Sequence, residues 1–208
     1  MTIRSWFPTL VYDAPLVRSG GTAFAREVLA ETRRIREHDV EGRKWCRKHY
    51  PLGYTSYASL CRLHRSFSTF MRLEALLAPH VKSFARRLEL DLGKGRLRMT
   101  DCWVNVLPRA AAHGLHLHPL SVLSGTYFVQ APRGCSPIRL EDPRLDRRMA
   151  SPPRRAACRP ENRQHVSYPA RTGRVILFES WLRHEVGPNP AGADRVSVSF
   201  NYDWAGIA

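Results

Sequence analysis

The chain has 208 residues, a hydrophobic fraction of 43% and a formal net charge of +15. This length suits one domain with a sizeable core. Because no run of 18 or more apolar residues occurs, the composition excludes a helix that spans a membrane. The N-terminal residues lack the long apolar stretch of a secretory signal, so we expect a cytoplasmic protein.

The basic residues are overwhelmingly arginine, which has two explanations. A partner with acidic groups, such as nucleic acid or an acidic carrier, would attract them. A GC-rich codon bias explains them equally well, because alanine is abundant as well. Aromatic residues are not interleaved with the arginines as they are on RNA-binding surfaces. We therefore expect a small-molecule or peptide substrate and a monomer or homodimer, with no nucleic-acid or membrane partner.

The cysteines are odd in number, widely spaced and without a CxxC pair, which indicates neither a zinc ribbon nor a disulfide framework. We interpret them as thiols in a reducing compartment. They are Cys46, Cys61, Cys102, Cys135 and Cys158.

The first predicted elements are helices, which occupy residues 20 to 90. The first has apolar residues from Ala23 to Leu29 at helical spacing, with Thr22 as the expected N-cap. The second has apolar residues at helical spacing from Phe67 to Leu90, and we expect Pro79 to split or kink it. A polar aromatic loop at 53–57 separates them. Helices in this position usually brace a β core from outside.

From Leu97 onward the pattern changes to short strands separated by Gly/Pro turns. Such strands predict a sandwich or a jelly roll rather than βαβ units. The last strand alternates apolar and polar residues, as a half-buried strand does. The clear strands are 98–107, 122–129, 174–178 and 195–202. Between them, residues 143–171 are rich in Pro and Arg and show no periodicity, so we interpret them as a functional flap or a disordered loop.

The most informative motif is an HxH pair, His116 and His118. In an extended segment residues i and i+2 project to the same face, so both rings can face one metal ion. Imidazole suits Fe, Zn, Cu or Ni, and a third protein ligand would leave positions open for substrate or oxygen. His184, which follows the strand 174–178 after a short turn, is the expected third ligand. The other histidines are assigned to helix faces and loops; they are His38, His49, His64, His80, His113 and His165.

Arg195 begins the final alternating strand, eleven positions after His184. An arginine grips a carboxylate with two hydrogen bonds, and the hydroxyl of Ser197, next on the same face, can add another. This pair predicts a carboxylate site. The prediction depends on the interval of eleven positions along the chain between His184 and Arg195.

Seven segments together resemble, in order, the superfamily of 2-oxoglutarate/Fe(II)-dependent oxygenases, and more narrowly its bacterial and phage branch. The resemblance covers nearly the whole chain. The segments are Trp103–Asn105, His116–Pro119, Leu123–Tyr127, Asp142–Arg144, Gly173–Phe178, His184–Val186 and Arg195–Asn201. The opening residues 6–12 and the 53–57 loop are similar to that branch as well.

The resemblance implies a fold that is mainly β with α: a double-stranded β-helix, or jelly roll, with a helical N-terminal half packed outside it. One domain would span 1–208, with 1–92 as helical support and 97–208 as the core. The cofactors implied are Fe(II), bound by His116 and His184, and 2-oxoglutarate, anchored by Arg195. Further pocket residues implied are Trp103, Asn105, Ser124 and Tyr127, of which Asn105 and Tyr127 are the candidates for contact with the cosubstrate.

This chain departs from the family pattern at His118, where the superfamily usually has Asp or Glu. One interpretation is an all-histidine iron site. Another is that His118 only supports the site and leaves an open position, as in the halogenases of the superfamily. A neutral ligand leaves the site one unit more positive. Glu185 or Asp142 are the acids that would substitute, although Glu185 adjoins His184 and is expected to point away.

We therefore expect a 2-oxoglutarate-dependent dioxygenase that hydroxylates an amino acid, a peptide or a biosynthetic intermediate. Halogenation and desaturation stay open as outcomes. The flap is expected to meet an anionic group of the substrate through arginines such as Arg144, Arg147 or Arg154. One rival is a cupin-type enzyme that uses three histidines without 2-oxoglutarate. The other is an Arg-rich jelly roll that binds nucleic acid.

Overall fold

The computed structural model describes residues 1–206. Its helices are α1 (Gly21–His38), α2 (Val40–His49), α3 (Leu63–Ser66) and α4 (Ser68–Arg87). Its strands are β1 (Val11–Pro15), β2 (Tyr54–Thr55), β3 (Arg96–Leu107), β4 (His113–His116), β5 (Leu123–Gln130), β6 (Ile138–Glu141), β7 (His165–Tyr168), β8 (Arg174–Glu179), β9 (His184–Val186) and β10 (Arg195–Ala205). None of the described helices is long and apolar enough to cross a membrane.

Two antiparallel sheets form the core. The large sheet has the order β1-β8-β5-β10-β3-β2, and the small sheet has the order β4-β9-β6-β7. Apolar side chains from both sheets pack in the space between them, such as Phe128 and Phe178 from the large sheet with Leu140 from the small sheet. This arrangement is the expected jelly-roll core.

The alternation of β10 decides which of its residues enter the space between the sheets. Val196, Val198 and Phe200 belong to the main apolar cluster, which includes Phe24 of α1 and Leu73 of α4. The helices therefore cover the outer face of the large sheet. The alternate residues of β10, beginning with Arg195, point to the inner face, because successive side chains of a strand project to opposite sides.

The helix boundaries differ from the expected ones at two places. Helix α1 begins at Gly21, and Gly20 precedes it in the left-handed conformation at φ 73°, so Thr22 lies inside the helix and is not the N-cap. Helix α4 continues through Pro79. Its apolar face stays packed on both sides of the proline, because Leu77 and Val81 are both buried.

Two segments expected to lack strands contribute to the sheets. In the N-terminal half, β1 pairs with β8 at one edge of the large sheet, and β2 pairs with β3 at the other. Near the end of the Pro/Arg-rich segment, β7 pairs with β6. The irregular part of that segment therefore spans 143–164, where two short 3-10 helices occur. The four-residue β7 was too short to show a period in sequence.

Candidate metal centre

Three histidines meet at the end of the small sheet. His116 ends β4, His184 begins β9, and the two residues are paired across the strands. His118 lies two residues beyond β4, where its backbone N–H donates to the Ser180 carbonyl at 3.0 Å. One ring nitrogen from each histidine lies within 4.8 Å of the other two. The sequence-predicted group is therefore brought together at one point.

Backbone carbonyls orient two of the three rings. Nδ1 of His116 lies 2.7 Å from the Gly114 carbonyl, and Nδ1 of His184 lies 2.9 Å from the Leu182 carbonyl. A carbonyl only accepts, so each Nδ1 carries the proton and each Nε2 keeps its lone pair. Nε2 of His184 lies 3.3 Å from Nε2 of His118. The hydrogen bond from Nδ1–H to a backbone carbonyl, on the side of the ring away from Nε2, is the usual support of a metal-binding histidine.

The surroundings keep these imidazoles neutral. Burial lowers the pKa of His118 to about 4 and that of His184 to about 2, and it lowers the pKa of His116 as well. The ring of Phe178 packs on His184 with centroids 4.6 Å apart. Neutral imidazole is the form that binds a metal ion. Three neutral nitrogens with convergent lone pairs fit Fe(II), although the same donors suit Zn, Cu or Ni.

No carboxylate completes the group within residues 1–206. Glu185 points away from His184 and forms an ion pair with Arg139. Asp142 is held by three arginines at 2.9 to 3.5 Å, which are Arg144, Arg147 and Arg148. Neither acid therefore replaces His118, and the three histidines are the complete candidate donor set.

Arg195 is a buried cation at the start of β10, with 2% of its surface exposed. Its Nε donates to the Ser136 carbonyl at 3.1 Å, and Nη1 lies 3.5 Å from Oγ of Ser197. Among the described residues, no Asp or Glu forms an ion pair with it. Burial lowers its pKa to about 10, so it is charged at pH 7. A buried cation without a counter-ion is costly, and an anionic ligand relieves that cost.

Three of the other predicted pocket residues face the same interior. Asn105 donates from Nδ2 to Oγ of Ser199 at 3.0 Å, while its buried Oδ1 has no hydrogen-bond partner within the described residues. The ring of Trp103 lies 5.6 Å from that of His118. Ser124 is also on the inner face, but its hydroxyl is bonded to other side chains of the protein. Asn105 is therefore the one with a free buried acceptor.

Tyr127 is not part of this interior, contrary to the expectation. It belongs to the main apolar cluster, and its ring lies 6.1 Å from that of Phe24 in α1. The register explains this: Tyr127 pairs with Val198, whose side chain also faces the helices. The pocket interpretation assigned Tyr127 to the wrong face of β5, and a cosubstrate contact by this residue is dropped.

The arginines expected to meet a substrate lie elsewhere. Arg144 and Arg147 line a cleft of about 740 Å³ between the N-terminal residues 3–9 and the 143–164 segment. Both contact Asp142, whose single negative charge is shared among Arg144, Arg147 and Arg148. Arg154 is exposed and is not among the residues that line the cleft. The structure does not bring these three residues to the histidine group.

His113 and Tyr50 lie close to the site, although the sequence predicts no role for either. The ring of His113 stacks on that of His116 with centroids 4.3 Å apart, and its Nδ1 lies 3.1 Å from the hydroxyl of Tyr50. Burial, followed by neighbouring histidines and Arg195, lowers the pKa of His113 to about 3. His113 is therefore stacked on the histidine group and is close enough to Arg195 to be affected by its charge. Its spacing of three from His116 gave no strand signal, because β4 is irregular between these two residues.

Comparisons with known proteins agree with this architecture. Residues 101–201 match the family model described as "Putative 2OG-Fe(II) oxygenase". No curated protein matches the chain by sequence. Among solved structures, the chain is similar to the non-heme alpha ketoglutarate dependent epimerase SnoN of nogalamycin biosynthesis. The TM-score is 0.63 at 18% identity, over 94% of this chain and 76% of SnoN.

Two further structures are similar over most of their length. A prolyl-4-hydroxylase from Pseudomonas putida has a TM-score of 0.63 at 14% identity, covering 95% of this chain and 94% of that protein. HygX from Streptomyces hygroscopicus, solved with nickel, 2-oxoglutarate and hygromycin B bound, has a TM-score of 0.59 at 14% identity, covering 94% and 83%. At these identities the likeness shows the fold, which is the jelly roll of 2-oxoglutarate oxygenases. The family match over residues 101–201 and this fold agree with the resemblance to 2OG-Fe(II) oxygenases that the sequence motifs carry.

Proposed function

We propose that this protein is a non-haem dioxygenase that hydroxylates an amino acid, a peptide or a biosynthetic intermediate, with Fe(II) and 2-oxoglutarate as cofactors. When bound, the iron and 2-oxoglutarate supply oxidation by O2: 2-oxoglutarate is converted to succinate and CO2, and the second oxygen atom enters the substrate. The observation that carries the proposal is a neutral three-histidine group sharing one interior with a buried arginine that has no counter-ion.

Each side chain has a role that follows from its surroundings. His116, His118 and His184 hold the iron through Nε2, and the carbonyls of Gly114 and Leu182 keep two of the rings in the required tautomer. Fixed orientation of ligands lowers the reorganisation needed when the metal binds.

The cosubstrate is held at the other end of the interior. The guanidinium of Arg195 and the hydroxyl of Ser197 bind the distal carboxylate of 2-oxoglutarate. Asn105, Ser124 and Trp103 line the wall between this anchor and the open side of the pocket. HygX supports the pairing of cofactors, since that protein was solved with nickel and 2-oxoglutarate bound.

An all-histidine iron site is favoured over a site with an open position. The two Nε2 atoms of His118 and His184 are 3.3 Å apart, and the backbone of His118 is fixed by Ser180. His118 is therefore held where a third ligand is needed. With that position filled, hydroxylation is the favoured outcome, and halogenation or desaturation is the alternative. The similar folds carry several reactions, because SnoN is an epimerase and the Pseudomonas protein a prolyl-4-hydroxylase.

We infer that the irregular residues 143–164 form a flap. This segment follows β6, which pairs directly with β9 of the histidine group. Closing a lid over an active site shields its chemistry from water. The three arginines gathered on Asp142 would brace the base of such a flap, and the exposed Arg154 stays free to meet a substrate.

Anaerobic titration of the protein with Fe(II) and then 2-oxoglutarate tests the proposal. Bidentate binding of 2-oxoglutarate to iron gives a metal-to-ligand charge-transfer band, which we expect at one equivalent of iron per chain. The band should be absent when succinate replaces 2-oxoglutarate. Absence of the band with 2-oxoglutarate would instead favour the three-histidine enzyme that does not use this cosubstrate. A succinate-release screen over amino acids and peptides then identifies the substrate class.

A further inference from the structure

A chain of buried hydrogen bonds crosses the inner face of the large sheet and ends at a carboxylate. The Ser180 and Ser124 hydroxyl oxygens are 2.7 Å apart, and Oγ of Ser124 donates to Oδ1 of Asn201 at 2.9 Å. Nδ2 of Asn201 then donates to Oδ2 of Asp101 at 3.3 Å. Because the hydroxyl of Ser124 is used toward Asn201, Ser180 donates to Ser124, and every bond in the chain points toward Asp101. The carboxylate is therefore held in one orientation.

Asp101 lies on the opposite side of the histidine group from Arg195. On β10, Arg195 and Asn201 both face inward, and they pair with Leu107 and Asp101 of β3, respectively. Six residues of strand separate the two ends, which is about 20 Å at 3.3 Å per residue. Trp103 lies between them on β3 and packs on His118. The cosubstrate anchor thus occupies one end of the interior, and Asp101 occupies the other.

One oxygen of Asp101 is free to bind a ligand. Oδ2 accepts from Asn201 and from the hydroxyl of Thr100 at 3.1 Å. Within residues 1–206 no hydrogen bond reaches Oδ1, and no Lys, Arg or His forms an ion pair with this carboxylate. The chain has 33 Lys and Arg residues against 18 Asp and Glu. In so basic a protein, a partly exposed carboxylate without an ion-pair partner leaves its charge available to a ligand. Burial lowers the pKa of the nearby His64, so that ring is neutral at pH 7.

Two aromatic rings stand beside this carboxylate. The Tyr57 ring packs edge-on against Trp103 with centroids 5.0 Å apart, and 52% of Tyr57 is exposed. Burial raises the pKa of Tyr57, and the nearby charge of Asp101 raises it further. The aromatic wall therefore runs from the surface through Tyr57 and Trp103 to His118.

We propose that Asp101, Tyr57 and Trp103 bind a protonated amine of the substrate and so present a neighbouring C–H bond to the metal centre. A fixed carboxylate oxygen makes a charge-assisted hydrogen bond with ammonium, and aromatic faces attract the same cation. An anionic group at this position would be repelled by Asp101. This inference rests on the proposed function, whose substrate it assigns to the class of free amines.

The test uses ligand-observed NMR with protein loaded with Mn(II) and 2-oxoglutarate, because a paramagnetic ion broadens the signals of molecules bound near it. The probes are L-lysine, cadaverine, glucosamine and benzylamine, each compared with its N-acetylated form. We expect at least one amine to be broadened and its acetylated partner to bind about 10- to 100-fold more weakly, as expected for loss of a charge-assisted hydrogen bond. Equal broadening within every pair, or none by any amine at millimolar concentration, would overturn the inference.

Asp101→Asn keeps the shape of the side chain and removes its charge. It should lower the affinity for the amine by the same factor and leave that for the acetylated probe unchanged. Asp13→Asn is the matched control, since Asp13 is a carboxylate on the edge strand β1 of the same sheet and pairs with Arg174 of β8. A second pair is independent of the buried network: Tyr57→Leu should weaken amine binding, whereas Tyr57→Phe should retain it. Unchanged amine affinity in both Asp101→Asn and Tyr57→Leu would refute the assignment.

The charge-transfer titration separates the two hypotheses. If Fe(II) and 2-oxoglutarate give no band in the unmodified protein, the proposed function fails, whatever the amines do. If the band forms in the unmodified protein and in Asp101→Asn while amines show no preference, only the substrate class is wrong.

Discussion

Replacing Arg195 by methionine separates the role of its charge from that of its side-chain volume. Methionine keeps an unbranched apolar chain against Phe128, whose ring lies 5.4 Å from the guanidinium carbon. It removes the cation that we assign to the 2-oxoglutarate carboxylate. Truncating one partner of a buried charge pair costs about 2–5 kcal/mol. At about 1.4 kcal/mol for each factor of ten, the Kd for 2-oxoglutarate should rise roughly 30- to 4000-fold.

The free energy of unfolding of the metal-free protein should rise in Arg195→Met, or change very little. Burial lowers the pKa of Arg195 from 12.5 to about 10. At 1.36 kcal/mol per pKa unit, keeping this cation buried without a ligand costs roughly 3 kcal/mol. Loss of the hydrogen bonds to Ser136 and Ser197 offsets part of that gain. A residue that served only the fold would instead destabilise the protein when removed.

Two measurements check this prediction. Anaerobic titration of the charge-transfer band gives the affinity for 2-oxoglutarate, and urea denaturation of the metal-free protein gives the free energy of unfolding. Arg174→Met is the matched control, because Arg174 also begins a strand of the large sheet but pairs with Asp13 in a partly exposed position. The reasoning is refuted if Arg195→Met binds 2-oxoglutarate with the affinity of the unmodified protein. That result would favour the cupin-type enzyme that uses three histidines without 2-oxoglutarate.

Four further predictions follow from the site. His118→Ala should lose iron binding and activity, and His118→Asp, which restores the usual acid, should bind iron; full iron affinity in the alanine variant would make this histidine a supporting residue only. Tyr127→Phe should leave 2-oxoglutarate affinity unchanged in the same titration, and a large loss would contradict its position against the helices. Below pH 6.5 His118 and His184 bind protons in the unfolded chain but stay neutral when buried in the folded protein. The metal-free protein should therefore lose stability as the pH falls from 6.5 to about 4, by about 1.4 kcal/mol per pH unit for each histidine. Urea denaturation at pH 7 and pH 5 measures this, and equal stability at both would exclude the buried neutral state. Hydrogen exchange of residues 143–164 should slow when true substrate binds, and unchanged exchange would leave only a solvated loop.

Much of the fold was readable from the sequence because it depends on local spacing. The four longest predicted strands appear within two or three residues at each end, since their apolar residues and turn residues mark the limits. Short elements were missed for the same reason. The strands β2 and β7 contain two and four residues, too few to establish a period, and each is defined by its pairing with a neighbouring strand, β3 and β6, respectively.

The faces of the strands required the tertiary structure. In sequence, Tyr127 and Asn105 are equally plausible pocket residues on two successive predicted strands. Only the registers of β5 and β3 against β10 assign Tyr127 to the helix side and leave Asn105 inside. A shift of one residue in pairing reverses every side chain of a strand, and nothing in a single strand's pattern specifies that shift when both of its faces are buried.

The chemistry of the site divides in the same way. The spacing of His116, His118, His184 and Arg195 along the chain was sufficient to predict the group. The prediction depends on the HxH pair, on the Arg195/Ser197 pair, and on the interval of eleven positions between His184 and Arg195. Ion pairing was not predictable from spacing: Arg144 and Arg147 looked available in sequence, yet the fold gathers them on Asp142. Whether a charge is free depends on neighbours distant in the chain. For that physical reason, only the tertiary structure shows that Arg195 and Asp101 have no ion-pair partner within residues 1–206.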